Sequence, residues 1–334
     1  MEFVQETSFF CIFAQDKTLY YNKNIMEEKL KWYQKITLEL FWVLCLLISI
    51  MPRCIRYYIL KPLIGTLLIM THYRYKVIVG NLTKSFPQKS TKEIKQITRK
   101  YYMFLAEVAI DIISLVGASE ERKNKAVDWL NAKEINERLD GKDWIAMGAH
   151  YGCWEYLPLW SRQQMCNTFM SVYHPLTNKV FDQFFLRLRK LSSNIVTVAM
   201  RNTFSYYLKN RNKGIILGLL SDQSPALRAD TQWFRFLNQD TAFIDGAESV
   251  ALKYKLPIYF AYTKRKSPGR YTVVLEEIYD GQETVEKCEI TRRYARRMEE
   301  MITECPELWM WSHKRWKHTP EKQERLYGQN TLPK

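Results

Sequence analysis

The 334-residue chain has no long uninterrupted apolar run. Its most apolar window, Leu38–Met51, is broken by Glu39 and falls short of the roughly 18–20 residues that a bilayer span needs. A basic stretch followed by an apolar core, the mark of a secretion signal, is missing from Met1–Ile25. There are seven cysteines, an odd number, and no CxxC pair. That argues against a zinc site or a disulfide framework and for a reducing compartment. The patterns GxxxxGKS/T, GxSxG and HExxH are all absent, so nucleotide hydrolysis, serine-elbow chemistry and zinc proteolysis lose their usual signatures. Internal repeats and low-complexity tracts are absent as well. Acidic residues are scarce beside basic ones, 35 against 50, which leaves a formal charge of +15. Such an imbalance concerns partners and not fold: nucleic acid, an anionic membrane surface, or an acidic protein or substrate.

What the chain does have is a large apolar and aromatic share, 47% and 14% of residues, which excludes a disordered protein. Its length suffices for a large core, and one α/β domain with an N-terminal appendage is expected. Residues 1–25 read as a disordered extension, and Met26 opens a cleaner amphipathic stretch. Residues 26–72 read as a membrane-associated helical segment. Within it Leu38–Met51 and Ile55–Met70 are apolar, Arg53, Arg56 and Lys61 are interspersed, and Trp42, Tyr57 and Tyr58 suit a headgroup interface. The bland alternative is a pair of core helices. Arg74–Pro87 then leads into Thr91–Val116, where Ile94, Ile97, Tyr101, Leu105, Val108, Ile112 and Leu115 recur at helical spacing, with Gly117 to end the helix.

From Asp143 onward short apolar runs alternate with helical patterns. Strands are expected at Trp144–Gly148, Thr168–Tyr173, Ile195–Val198, Gly214–Leu220, Pro257–Thr263 and Tyr271–Glu276. Helices are expected at Asn178–Leu191, Thr203–Asn210 and Gly246–Tyr254. This alternation predicts a mainly parallel sheet flanked by helices. Ligands in such sheets bind beyond the carboxyl ends of the strands. His150, after Trp144–Gly148, and Asp222, after Gly214–Leu220, both fall there.

His150 lies between Gly148 and Gly152, with Glu155 five residues on. If a helix begins near Cys153, Glu155 sits in its first turns, where its carboxylate can hold one ring nitrogen and leave the other to take a proton. The competing reading is a structural histidine, because an acid five residues away is a short and common coincidence. Cys153 invites a Cys–His nucleophile, against a small buried hydrophobe. The stretch Pro306–Lys317, PELWMWSHKRWK, alternates Trp with Lys and Arg. It suits a headgroup contact, a stacking nucleic-acid face, or core Trp with solvated charge.

The ordered set of stretches resembles the late acyltransferases of lipid A biosynthesis, the lauroyl/myristoyl transferase family, within the lysophospholipid acyltransferase superfamily. The matching stretches are RYKVIVGNLTKSFP (Arg74–Pro87), GAHYGCWE (Gly148–Glu155), VYHP (Val172–Pro175), FFLRLRK (Phe184–Lys190), LSDQSP (Leu220–Pro225), FLNQDTAFIDGAESVALK (Phe236–Lys253) and PELWMWSHKRWK. The resemblance implies a glycerolipid acyltransferase-like catalytic domain over residues 73–320, followed by a tail, 321–334. It implies a catalytic His150–Glu155 pair. It implies substrate-binding residues in an arginine after the VYxP motif and in the DQ pair Asp222–Gln223. His174 stands where family members often carry Arg. Leu-Ser-Ser replaces a Gly after the RLR segment, which leaves the arginine open between Arg187 and Arg189, with Arg187 favoured as the inward one.

The implied activity is transfer of a fatty acyl chain from an acyl carrier protein thioester to a hydroxyl of a lipid A precursor. It would take place on the cytoplasmic face of the bacterial inner membrane, with no cofactor, no metal and no nucleic-acid partner. The alternatives are another lipid or amine acceptor on the same scaffold, or a non-enzymatic basic protein that binds membrane or nucleic acid. For the transfer, a neutral imidazole with an ordinary pKa of about 6.5 suits removal of the alcohol proton. The oxyanion would need donors such as an arginine or the N–H groups of the Gly148–Cys153 turn.

Overall fold

The computed structural model describes residues 30–162, 167–191 and 194–328. The expected extension at residues 1–25, and positions 329–334 of the expected tail, lie outside the described residues. Nine strands run β1 Val127–Trp129, β2 Trp144–Gly148, β3 Thr168–Tyr173, β4 Ile195–Ala199, β5 Ile215–Leu220, β6 Gln232–Phe236, β7 Gln239–Phe243, β8 Ile258–Ser267 and β9 Arg270–Tyr279. Seven of them form one sheet in the order β1-β9-β8-β2-β5-β3-β4, parallel throughout except for the β8–β9 hairpin. β2 and β5 are buried along their whole length, as befits central parallel strands covered on both faces. The mainly parallel sheet flanked by helices is thus the fold that the alternating pattern predicted.

The helices Tyr75–Ser85 and Glu289–Glu304 lie outside the expected set, and among the strands two features were not foreseen. β1 spans only three residues, too few to show a period. The small antiparallel pair β6–β7 turns through Leu237 and Asn238, whose φ angles are +47° and +60°. A two-residue turn with both φ positive normally advertises itself as Asn-Gly or Asp-Gly, and Leu-Asn carries no such signal.

The long helix Thr91–Val116 has the predicted bounds. Its start is set by a capping box in which Ser90 and Glu93 satisfy each other's backbone N–H. Gly117 follows it, but with φ −112° and not in the left-handed region of a glycine cap. The reason for glycine here is close approach: a Cβ would lie 2.2 Å from Ser49 Oγ on the helix Trp32–Ile50.

That N-terminal helix is 19 residues long and starts earlier than the apolar window suggested. Among the described residues it is the one single helix long and apolar enough to cross a membrane. One of its faces, Leu38, Trp42, Cys45 and Ser49, is nevertheless buried on the protein. Phe41 packs edge-on against Phe181 and Phe184 at 5.5 and 5.0 Å, and Trp42 against Phe184 at 5.7 Å. The other face, including Ile36, Leu40, Val43 and Leu47, is exposed. A π-turn at Arg56–Leu60 joins it to the helix Lys61–Met70, which exposes Leu63, Leu67 and Met70.

Candidate active site

β2 and β5 are neighbours in register, with Gly148 opposite Leu220. The residues that follow each strand therefore emerge side by side at the carboxyl edge of the sheet. His150 Nδ1 lies 2.7 Å from Asp222 Oδ1, and the His150 backbone N–H donates to Asp222 Oδ2 at 3.0 Å. The Trp309 indole donates to the same Oδ2 at 2.8 Å. All three side chains are buried. Burial pushes the Asp222 carboxyl up, but the His150 ring and the hydrogen bonds from His150 and Trp309 outweigh it, and the group is held below its ordinary value. An ionised Asp222 can only accept, so Nδ1 carries the ring proton and Nε2 presents its lone pair. The Gln223 carboxamide nitrogen faces that lone pair at 3.3 Å, and the Trp154 ring packs against the imidazole at 5.1 Å.

The turn is held from behind. Tyr294 donates to Gly148 O at 2.7 Å. Residues 308–310 lie antiparallel to it: Gly152 N–H donates to Leu308 O at 3.0 Å and Met310 N–H to His150 O at 3.1 Å. Gly152 has φ +62°, and a Cβ there would meet Thr263 Oγ1 at 2.1 Å, so only glycine fits. The N–H groups of His150 and Gly152 are thus engaged within the protein, which removes them from the donors expected for an oxyanion.

Glu155 does not hold His150. From Cys153 the chain tightens into the 3-10 helix Trp154–Arg162, which turns Glu155 toward the helix Lys179–Arg189. There Glu155 Oε1 accepts from Arg189 at 2.8 Å, with both side chains buried. The carboxylate on Nδ1 is Asp222, which sequence reasoning had placed among the substrate contacts.

The two arginines are also exchanged relative to expectation. The apolar stripe of their helix, including Phe181 and Phe184, is covered by the helix Trp32–Ile50 and not by a cleft. Arg187 follows that stripe outward, pairs with Glu39 at 2.8 Å and lies over the Trp42 ring at 4.0 Å. Arg189, about 200° further round the helix, turns inward. Glu155 and Arg189 wall a cavity of about 30 Å³ together with Gly148, Trp154 and Ser171. His174 is exposed, with Nδ1 3.0 Å from Pro175 O.

Burial pushes the Cys153 thiol well above its ordinary value, and Asp111 and Glu155 add to this, so a thiolate nucleophile is not available there. Among the described residues no group of three or more His, Cys, Asp or Glu is placed to hold a metal. Trp309 was the residue that sequence reasoning missed. Its stretch stood out, but nothing in an alternation of Trp and basic residues tells that one indole points at a carboxylate.

Two comparisons bear on this site. The family model for bacterial lipid A biosynthesis acyltransferases matches residues 26–318, most of the chain. Comparison with curated proteins gives no significant match.

Proposed function

The chain belongs to the bacterial lipid A biosynthesis acyltransferase family, and from that premise we propose a donor, a mechanism and a placement for it. Membership makes the protein an acyltransferase with a lipid A precursor as acceptor, and sets aside the non-enzymatic alternatives. The donor in our reading is the thioester of an acyl carrier protein, an acidic partner suited to a chain of formal charge +15.

The observation that carries the mechanism is the buried Asp222–His150 couple at the carboxyl edge of the sheet. The acceptor hydroxyl takes the place of Gln223 at His150 Nε2. As its oxygen bonds to the thioester carbon, its proton passes to Nε2, and Asp222 stabilises the imidazolium. Collapse of the tetrahedral intermediate breaks the C–S bond. The proton on Nε2 then leaves with the carrier sulfur as a thiol, and His150 returns to its starting state. Arg189, buried and held by Glu155, is our candidate to offset oxyanion charge. Removing the base tests this: His150→Ala, once shown by circular dichroism to be folded, should lose about 10³-fold or more in kcat. A folded His150→Ala protein with near-native turnover would end the assignment.

We place the protein on the cytoplasmic leaflet of the inner membrane, lying in the interface and not spanning it. The support is geometric. The helix Trp32–Ile50 is docked along one face, while its opposite face and the helix Lys61–Met70 together expose a run of large apolar side chains. Lys31, Lys35 and Arg53 are exposed beside this surface and suit anionic headgroups.

A further inference from the structure

We propose that Trp309 is a positioning residue for acyl transfer: its indole N–H fixes the Asp222 carboxylate, and through it the His150 ring, to a separate element of the fold. This rests on His150 acting as the base, and it follows from counting who holds Asp222. Among the described residues, the side chain accepts from His150 Nδ1, from the His150 backbone N–H and from the Trp309 indole. Two of those three donors belong to the residue that Asp222 is supposed to orient. A carboxylate held only by its own histidine would move with it. Trp309 is the one donor that refers the couple to an outside frame.

That frame is rigid. Residues 308–310 pair with the His150 turn through two backbone hydrogen bonds. The Trp309 ring is boxed edge-on by Trp311 at 4.8 Å and by Phe236 and Trp316 at 6.0 Å. Trp316 is in turn tied to Thr241 by its indole N–H at 2.7 Å. The chemistry of the donor matters too. An indole N–H only donates and does not titrate near neutral pH. A Ser, Tyr or His in its place would be able to accept from the histidine or exchange protons with the carboxylate. Trp309 instead favours the ionised carboxylate without competing for the ring proton, and Asp222 is indeed held low.

A merely structural tryptophan would show up as lost stability. A positioning one shows up in the pH profile. Loss of the donor leaves the carboxylate with a stronger pull on the ring proton, so the base becomes neutral at a higher pH. Trp309→Phe, assayed as the full chain in detergent with an acyl carrier protein thioester and a lipid A precursor, should lose tenfold or more in kcat. Its KM should stay about the same, and the acid limb of kcat/KM should move up by about half a pH unit or more. Phe236→Leu disturbs the same packing and keeps the donor; it should lower Tm and leave the acid limb where it is. A Trp309→Phe enzyme with native kcat and an unmoved limb overturns the proposal, and so does a Phe236→Leu enzyme that reproduces the shift. If Trp309→Phe does not fold, the native protein answers instead. Its Trp309 indole resonance, labelled with nitrogen-15, should move with pH at the midpoint of the acid limb, and a resonance that stays put is a refutation. Asp222→Asn separates the two levels: retained activity there sinks the Asp222–His150 reading itself, whereas its loss beside a normal Trp309→Phe sinks only the role of Trp309.

Discussion

Two buried carboxylates stand near His150, and the geometry gives them different work. Asp222 fixes the proton on Nδ1, while Glu155 neutralises Arg189. Their amides should therefore fail differently. Asp222→Asn can donate where the carboxylate only accepted and so favours the wrong tautomer; kcat should fall about 10²- to 10⁴-fold with little change in Tm. Glu155→Gln leaves a buried guanidinium short of its counter-charge and should cost about 3–5 kcal/mol in stability. Unfolding curves and kcat measured on the same two preparations distinguish these outcomes; a stable Glu155→Gln protein would show that Arg189 is not neutralised there. The arginines follow the same logic. Arg189→Lys should impair turnover, because an ammonium does not reproduce the placement of a guanidinium held by a buried carboxylate. Arg187→Lys should be near native, since its partner Glu39 is exposed and surface pairs contribute little. Kinetics of the two Lys variants in parallel would expose a wrong assignment by reversing that order. His150 and Asp222 were legible in the sequence because a strand end can be read from an apolar run. The partner of Glu155 was not, because five residues of spacing say nothing about which way a 3-10 turn throws a side chain.

At the scale of elements, the N-terminal helices decide more than the exposed apolar surface they carry. By covering the stripe of Phe181 and Phe184, the helix Trp32–Ile50 determines which face of the helix Lys179–Arg189 remains for the interior. The two arginines were ambiguous for that reason: the sequence shows an amphipathic helix but not what lies on it. The exposed side of this pair of helices is open to a direct test. Replacing Leu40, Val43, Leu47 and Leu67 by Gln should abolish sedimentation with anionic phosphatidylglycerol vesicles while circular dichroism stays native. The native protein should stay bound to the same vesicles at 1 M salt, because apolar insertion is not screened. Release of the native protein by salt alone would mean that charge and not insertion holds it. The strand pattern from β2 to β9 was readable because central parallel strands are apolar throughout. The β6–β7 pair escaped because its turn is built from Leu237 and Asn238 and lacks glycine.

The whole molecule is joined across a buried polar cluster that no reading of the sequence brought together. Asp111, on the long helix, accepts from Tyr57 of the N-terminal π-turn at 2.5 Å and from Tyr271 of β9 at 2.6 Å. Burial pushes its carboxyl up to about 7 despite those donors. A raised value means that the folded state holds the proton longer than the unfolded chain. The associated stability is present below the ordinary carboxyl value and is lost as pH rises through about 7. Asp111→Asn cannot ionise, so its Tm relative to the native protein should rise between pH 5 and pH 8. Thermal melts at the two pH values check it, and a constant difference would show that Asp111 does not titrate in the fold. The order in which the chain is made adds a consequence of the Trp309 contact. Asp222 is 72 residues beyond His150, and Trp309 lies 87 residues beyond Asp222. On a ribosome adding about 5–20 residues per second, the interval from Asp222 to Trp309 is roughly 4–17 s. The apolar helices at residues 32–70 are made before any of the three. The histidine turn is therefore made well before the tryptophan-rich strap that, under our proposal, frames it, and on that proposal activity waits for the last strap to fold back over the turn.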